Sequence, residues 1–420
     1  MNEQTLPAAP AAAAGAGDTA DRLLRRVVFQ RLRGLARGRL ILVDADGQHS
    51  FGPGGHGPQV RVEILDPGVW ARIALRGTVG VGEAYVDGGW RADDLTALVR
   101  LFVLNKPVMD GMERGLARLA LPLLKLWHWL HPNTRHGSRA NIAAHYDLGN
   151  AFYQTFLDET LMYSCALFEH PGMSLAEASQ AKNERICRKL GLRAGDHVLE
   201  IGTGWGGFAL HAAGRHGCRV TTTTISREQY ELARERVAAA GLGNRVTVLF
   251  EDYRELAGRY DQLVSIEMIE AVGHRWFDTY FRTCSRLLAP DGQMLLQAIT
   301  IRDQEYARTK RSVDFIQRHV FPGGCLPSVQ ALADTVARVT DLRALHLEDI
   351  GPHYATTLRH WRERFLANLD RVRALGFDDT FLRLWEYYLA YCEGGFAERY
   401  LGTVQLLLAK PECRRAVLPS

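Results

Sequence analysis

The chain has 420 residues, 47% hydrophobic and 23% charged, with a formal net charge of +4. Such a length suits two domains and such a composition a globular core, while so small a charge gives no ground for a nucleic-acid partner. The seven cysteines are scattered and form no CxxC pair, which speaks against a disulfide framework and a zinc site and fits a reducing cytoplasm.

Residues 1–19 open with "MNEQTLPAAPAAAAGAGD". The stretch lacks a basic segment and is broken by proline and glycine, so it reads as a disordered leader, not a signal peptide. Arginines crowd the next stretch, from Arg22 to Arg39. They predict a helix at 22–39 that is either a solvated face or a patch for anionic phosphate head groups. Residues 20–104 read as a small α+β domain. "RLILVDADGQHSFG" is strand, turn and strand. "VRVEILDP" and "WARIALRG" show partial period-two alternation. A helix follows from about Asp93 to Leu104. Residues 105–140 read as a helical linker. Within it "GLARLALPLLKLWHWLHP" carries charges and two tryptophans; it suits core packing or membrane-surface contact better than a bilayer span.

From residue 141 to the end the chain reads as one larger α/β domain. Its first part, "IAAHYDLGNAFYQTFLDETLMYSCALF", is dense in aromatic residues and includes His145, a pocket residue or a helix cap. Between 175 and 300 strands alternate with glycine-stopped helices, which predicts a parallel, doubly wound, Rossmann-like sheet. Ligands of such sheets bind at the carboxyl ends of the strands.

The turn "HVLEIGTGWGGFALHAA" sits at the first such end. Gly202, Gly204 and Gly206 allow a tight turn and close ligand approach, and the following helix offers free N–H groups. Gly202, Gly204 and Gly207 also satisfy the dinucleotide spacing GxGxxG. A dinucleotide enzyme would need an acid at the end of the second strand; here that strand ends "TTTTIS". Glu200 before the turn makes "LEIGTGWGG" resemble the first motif of S-adenosylmethionine (SAM) methyltransferases.

"HYDLGN", "MYSCALF", "EIGTGWGGFA", "TTTISREQ", "EDYREL", "IEAVG", "HVFPGG", "YATTLRHW" and "CEGGFAERYLG" together resemble the cyclopropane-fatty-acyl-phospholipid synthases and their mycolic-acid and methylene-fatty-acid relatives, over roughly 20–410. The resemblance implies a SAM-dependent enzyme that modifies acyl double bonds. It assigns Tyr163 and Ser164 to the methionine end of SAM, Gly202, Gly204 and Gly206 to the glycine loop, Thr224, Ile225 and Gln229 to the ribose and adenine, and Asp252 and Tyr253 to the adenine. It assigns Cys165, Glu270 and Tyr354 to a reaction centre that holds bicarbonate as proton acceptor. The family's fourth residue there, a histidine, is Gln297 in this chain, and a position often glycine is Glu267. Gln297 would still donate to bicarbonate, or an added carboxylate, Glu267 or Glu159, would replace or reposition the base. The resemblance further implies a homodimer, cytoplasmic and peripherally associated with the inner membrane face, whose N-terminal domain presents phospholipid.

Methyl transfer from the sulfonium of SAM to an olefin leaves a carbocation, which aromatic faces stabilise. Tyr354, Tyr163, Phe168 and Trp361 are candidates for that role or for core. Proton loss from the new methyl closes a cyclopropane ring; loss elsewhere gives a methylene or, after reduction, a methyl-branched product. Two other functions remain open: a methyltransferase on a soluble small molecule, and a non-catalytic lipid-binding protein with a degenerate methyltransferase fold.

Overall fold

In the computed structural model, residues 16–114 and 148–415 are described. Residues 1–15 of the stretch read as leader, His145 and the tryptophan-bearing stretch at 115–132 lie outside them. Two sheets organise the chain. The smaller contains β1 (Gly38–Asp44), β2 (Gly47–Gly54), β3 (Gln59–Ile64) and β4 (Trp90–Ala92), in the order β2-β1-β3-β4. Leu40, Leu42, Val60 and Val62 bury one face of it, and helices Ala16–Leu32, Val69–Val86, Leu95–Leu104 and Lys106–Arg114 accompany it. Its core is continuous with Phe315, Tyr387 and Ala390 of the larger part.

Three expectations change here. The arginine-rich helix spans Ala16–Leu32; it begins inside the stretch read as leader and ends before Arg33, because the chain turns into β1 at Gly38. "WARIALRG" is helical: Val69, Trp70, Ile73 and Ala74 are buried at helical spacing, so that the apparent alternation was the partial overlap of two periods. That helix breaks at Gly77, whose φ of 58° and ψ of −136° are non-helical.

The larger sheet contains β5 (His197–Ile201), β6 (Arg219–Thr223), β7 (Val246–Leu249), β8 (Tyr260–Ile266), β9 (Leu288–Ile301), β10 (Arg343–Asp349) and β11 (Leu401–Ala409), in the order β10-β11-β9-β8-β5-β6-β7. β5, β6, β7, β8 and β9 pair in parallel, whereas β11 runs antiparallel between β9 and β10. The sheet is therefore mostly, not wholly, parallel. The helices between Gly351 and Ala397 bring the chain back to the carboxyl end of β9, where Leu401 pairs with Ile301, so β11 starts at the end where β9 finishes.

Local sequence marks the helix ends. Ser174 and Glu177 form a capping box before the helix Leu175–Leu190, and Gly191 closes it in the left-handed conformation. Ser226 caps the helix Arg227–Ala239.

Candidate active site

The carboxyl ends of β5, β6 and β8 and the start of β11 surround one cavity of about 470 Å³. Tyr163, Ser164, Glu200, Gly202, Gly204, Thr224, Ile225, Gln229, Asp252 and Tyr253 all line it, as do Glu267, Glu270 and Tyr354. Residues that the sequence scatters between positions 163 and 354 are thus brought to one space. Gly206 does not line it; it caps the helix Gly207–His216 with φ of 85°.

Gly202 has φ of +101°, and a Cβ there would stand 3.3 Å from the Met268 side chain. A side chain at this position would be both strained and crowded against the cavity wall. Behind the loop Glu200 Oε2 accepts from Thr222 Oγ1 at 2.6 Å, and Thr222 and Thr203 share a 2.7 Å hydroxyl contact. Burial pushes the Glu200 carboxyl up to about 8, against the pull of Thr222 and the charge of Lys182. At the neighbouring strand ends Thr224 Oγ1 donates to Gln229 Oε1 at 2.9 Å, and Arg254 grips Asp252 through both carboxylate oxygens. These residues fit a SAM molecule lying across the glycine loop.

Beside the loop lies a second constellation, centred on Glu267. Its Oε1 accepts from the Cys165 backbone N–H at 2.9 Å and from Gln297 Nε2 at 2.8 Å; its Oε2 accepts from the Tyr354 hydroxyl at 2.7 Å. Its backbone adopts φ of +50°, a left-handed conformation that costs a non-glycine residue about 1–2 kcal/mol. Burial pushes its carboxyl up, opposed by the hydrogen bonds of Tyr354 and Gln297. Glu267 also lines the cavity.

Gln297 and Cys165 are fully buried and do not line the cavity. Gln297 acts from behind: its Oε1 accepts from Gln405 Nε2 at 3.0 Å, and Gln405 Oε1 accepts from Lys189 Nζ at 2.8 Å. The lysine can only donate, so the two amides are oriented in turn and the Gln297 NH₂ is left facing Glu267. The Cys165 thiol contacts the carbonyls of Ala166 and Ile350, and burial, with the Glu267 charge, pushes it well up. It stays a thiol and contributes its backbone N–H. The cradle that the resemblance assigns to bicarbonate is filled by the Glu267 carboxylate.

Glu270 Oε1 accepts from the Ile299 backbone N–H, while Oε2 is buried without a partner. Burial and the Glu267 charge push Glu270 up to about 8, which favours its uncharged form beside Glu267. Glu159 is exposed and lies outside the cavity lining. Phe168 stacks on His360, and Trp361 is core, 1% exposed; of the four aromatic candidates only Tyr163 and Tyr354 line the cavity.

Sequence reasoning missed Lys182, fully buried, whose Nζ donates to Ser164 Oγ at 3.2 Å. Burial lowers it to about 8, against the charges of Glu267, Cys165 and Glu200. Helical spacing from Ala178 and Ile186 puts position 182 on the buried face, a signal that could have found it.

The glycine cradle at the carboxyl end of a mostly parallel sheet, beside a buried acid centre, defines a SAM-dependent methyltransferase. The chain belongs to the mycolic acid cyclopropane synthetase family, whose sequence model matches residues 133–406. It is 41% identical to the tuberculostearic acid methyltransferase UfaA1 of Mycobacterium tuberculosis, over 96% of this chain and 94% of that one. It is 36% identical to the cyclopropane-fatty-acyl-phospholipid synthase of Escherichia coli, over 83% and 87%. A crystal structure of mycolic acid cyclopropane synthase CmaA1 with SAH and CTAB superposes with a TM-score of 0.61 and 32% identity, over 65% of this chain and 98% of that one.

Proposed function

We propose that the enzyme transfers a one-carbon unit from SAM to the cis double bond of an unsaturated acyl chain carried on phospholipid, forming a cyclopropane, with Glu267 as the base. The observation that carries this reading is the Glu267 carboxylate, held by three donors at the wall of the cavity that also receives the cofactor loop. SAM, when bound, supplies an electrophilic sulfonium methyl. The chain's own residues do the rest. The rings of Tyr163 and Tyr354 stabilise the positive charge that develops on the acyl chain. The apolar lining keeps water from trapping it. Glu267 then accepts the proton of the transferred methyl. Turnover in this reading needs no added bicarbonate.

An acyl substrate is supported by the apolar reach of the cavity. Val99, Phe102, Val103 and Met109 extend its lining from the glycine loop to the helices of the N-terminal part. A membrane-borne substrate is supported by the helix Ala16–Leu32, which exposes Leu23 and Val27 beside Arg26, an apolar stripe next to a cation that suits the inner membrane surface. Arg25 is not part of it, being tied to Asp44 and Asp46. Among the described residues no helix is long and apolar enough to cross a membrane.

A second reading, a methylene or methyl-branched product, is favoured by the near full-length similarity to a protein named a methyltransferase rather than a cyclopropane synthase. Mass spectrometry and proton NMR of phospholipids treated with enzyme and SAM test both: a gain of one CH₂ is expected, and ring or olefinic protons assign the product. Lipids left unchanged would overturn the proposal.

A further inference from the structure

Away from the cavity, four metal-ligating side chains converge on the first strand–helix–strand unit. Glu184 and Cys187 lie one turn apart on the helix Leu175–Leu190. His211 and His216 lie on the helix Gly207–His216, which starts at the glycine loop. The ligating atoms of Cys187, His211 and His216 all fall within 4.8 Å of one another. Glu184 Oε2 faces both imidazoles, 3.2 Å from His211 Nε2 and 3.1 Å from His216 Nε2. Its other oxygen is held by Arg188 Nε at 2.9 Å.

We propose that Cys187, His211, His216 and Glu184 form a structural zinc site. One sulfur, two imidazole nitrogens and one carboxylate oxygen make a donor set that zinc accepts in tetrahedral geometry. Zinc bond lengths of roughly 2.0–2.3 Å put the donors of such a site roughly 3.5 Å apart; the Glu184–imidazole contacts are already that short, and Cys187, His211 and His216 lie within 4.8 Å of one another, so binding draws Cys187 and Glu184 toward each other. Charge balances as well: a thiolate and a carboxylate neutralise a divalent ion in a largely buried place. Arg188 anchors the carboxylate from behind, as an outer partner does in established metal sites. His216 and Glu184 keep 19% and 27% of their side-chain surface exposed, which gives the ion a way in. On binding, the Cys187 thiol proton leaves to solvent and the two imidazoles carry their remaining protons on Nδ1. The scattered cysteines hid this site, because its ligands come from two helices separated by a strand.

The bound ion pins together the helix that carries Lys182 and the helix that follows the glycine loop, so it stiffens the cofactor cradle without touching the reacting atoms. The test is a titration of the metal-stripped, full-length protein with cobalt(II), followed by zinc. One equivalent of cobalt should give the visible bands of a tetrahedral site and a thiolate-to-cobalt charge-transfer band, both displaced by zinc, and zinc should raise the thermal midpoint by a few degrees. His216→Gln, at a partly exposed position, should keep the circular dichroism of the parent and lose the bands. Cys187→Ser should lose the charge-transfer band, and Cys413→Ser should keep it. Absence of the charge-transfer band in the parent, or its full persistence in either His216→Gln or Cys187→Ser, overturns the proposal.

Discussion

The Tyr354 hydroxyl donates to Glu267 Oε2 at 2.7 Å, joining the helix Gly351–Ala367 to the end of β8. A hydrogen bond to a charged group is worth about 1.5–3 kcal/mol, and this one orients the base. Tyr354→Phe keeps the ring and removes the donor. SAM-dependent turnover should fall by roughly 10–100-fold while SAM affinity, read by calorimetry, holds. An equal loss of both would mean that Tyr354 supports the cofactor site instead.

Glu267→Gln retains shape and removes the proton acceptor. Loss of a general base typically costs ~10²–10⁴-fold, and release of S-adenosylhomocysteine should fall within that range. Glu267→Gly should relieve the backbone strain at φ of +50° and leave the donors of Cys165, Tyr354 and Gln297 open to a small carboxylate. Bicarbonate should restore part of its turnover. Full activity of Glu267→Gln would remove Glu267 from the role of base.

Burial pushes both Glu200 and Glu270 up from the ordinary 4.5 to about 8. In that window the native state holds protons that the unfolded chain releases. Their contribution to stability is therefore complete below about pH 4.5 and lost as pH rises through about 8. Glu83 and Glu348 sit at about 2, because hydrogen bonds from His319 and Arg76, and from Arg185 and Lys189, outweigh the upward push of burial. They are ionised in both states above pH 6 and add no slope there. Without cofactor, the thermal midpoint should drop from pH 6 to pH 8, and Glu270→Gln should flatten the drop. A parent midpoint that rises with pH would contradict this.

Phe102 and Val99 line the N-terminal reach of the cavity. Val99→Trp should shorten that reach, shifting preference toward shorter acyl chains by about tenfold or more in kcat/KM, since each buried methylene carries about 0.8 kcal/mol. SAM binding should not change. Assays on vesicles of defined chain length would read this; an unaltered preference would mean that the acyl chain lies elsewhere.

The glycine loop and its acid were legible because a strand, an acid and clustered glycines lie within ten residues of one another. The residues assigned to the ribose and adenine rest on resemblance alone, since they follow two different strands, β6 and β7. Two features lay beyond the sequence. The chain Lys189–Gln405–Gln297 joins residues from one helix and two strands whose pairing depends on β11 running antiparallel. Where the Glu267 carboxylate points was not legible either, because it depends on the left-handed backbone that follows β8. The helix Val69–Val86 was misread because its glycines and short apolar runs fit two periods at once.

The most direct measurement is S-adenosylhomocysteine release by purified enzyme on monounsaturated phospholipid vesicles, in buffer stripped of bicarbonate, with lipid mass recorded in the same reaction. Undiminished release matched by gain of one CH₂ per event is the expected result. Release that vanishes without bicarbonate and returns on its addition would contradict Glu267 as the built-in base, and no release under either condition would contradict the function itself.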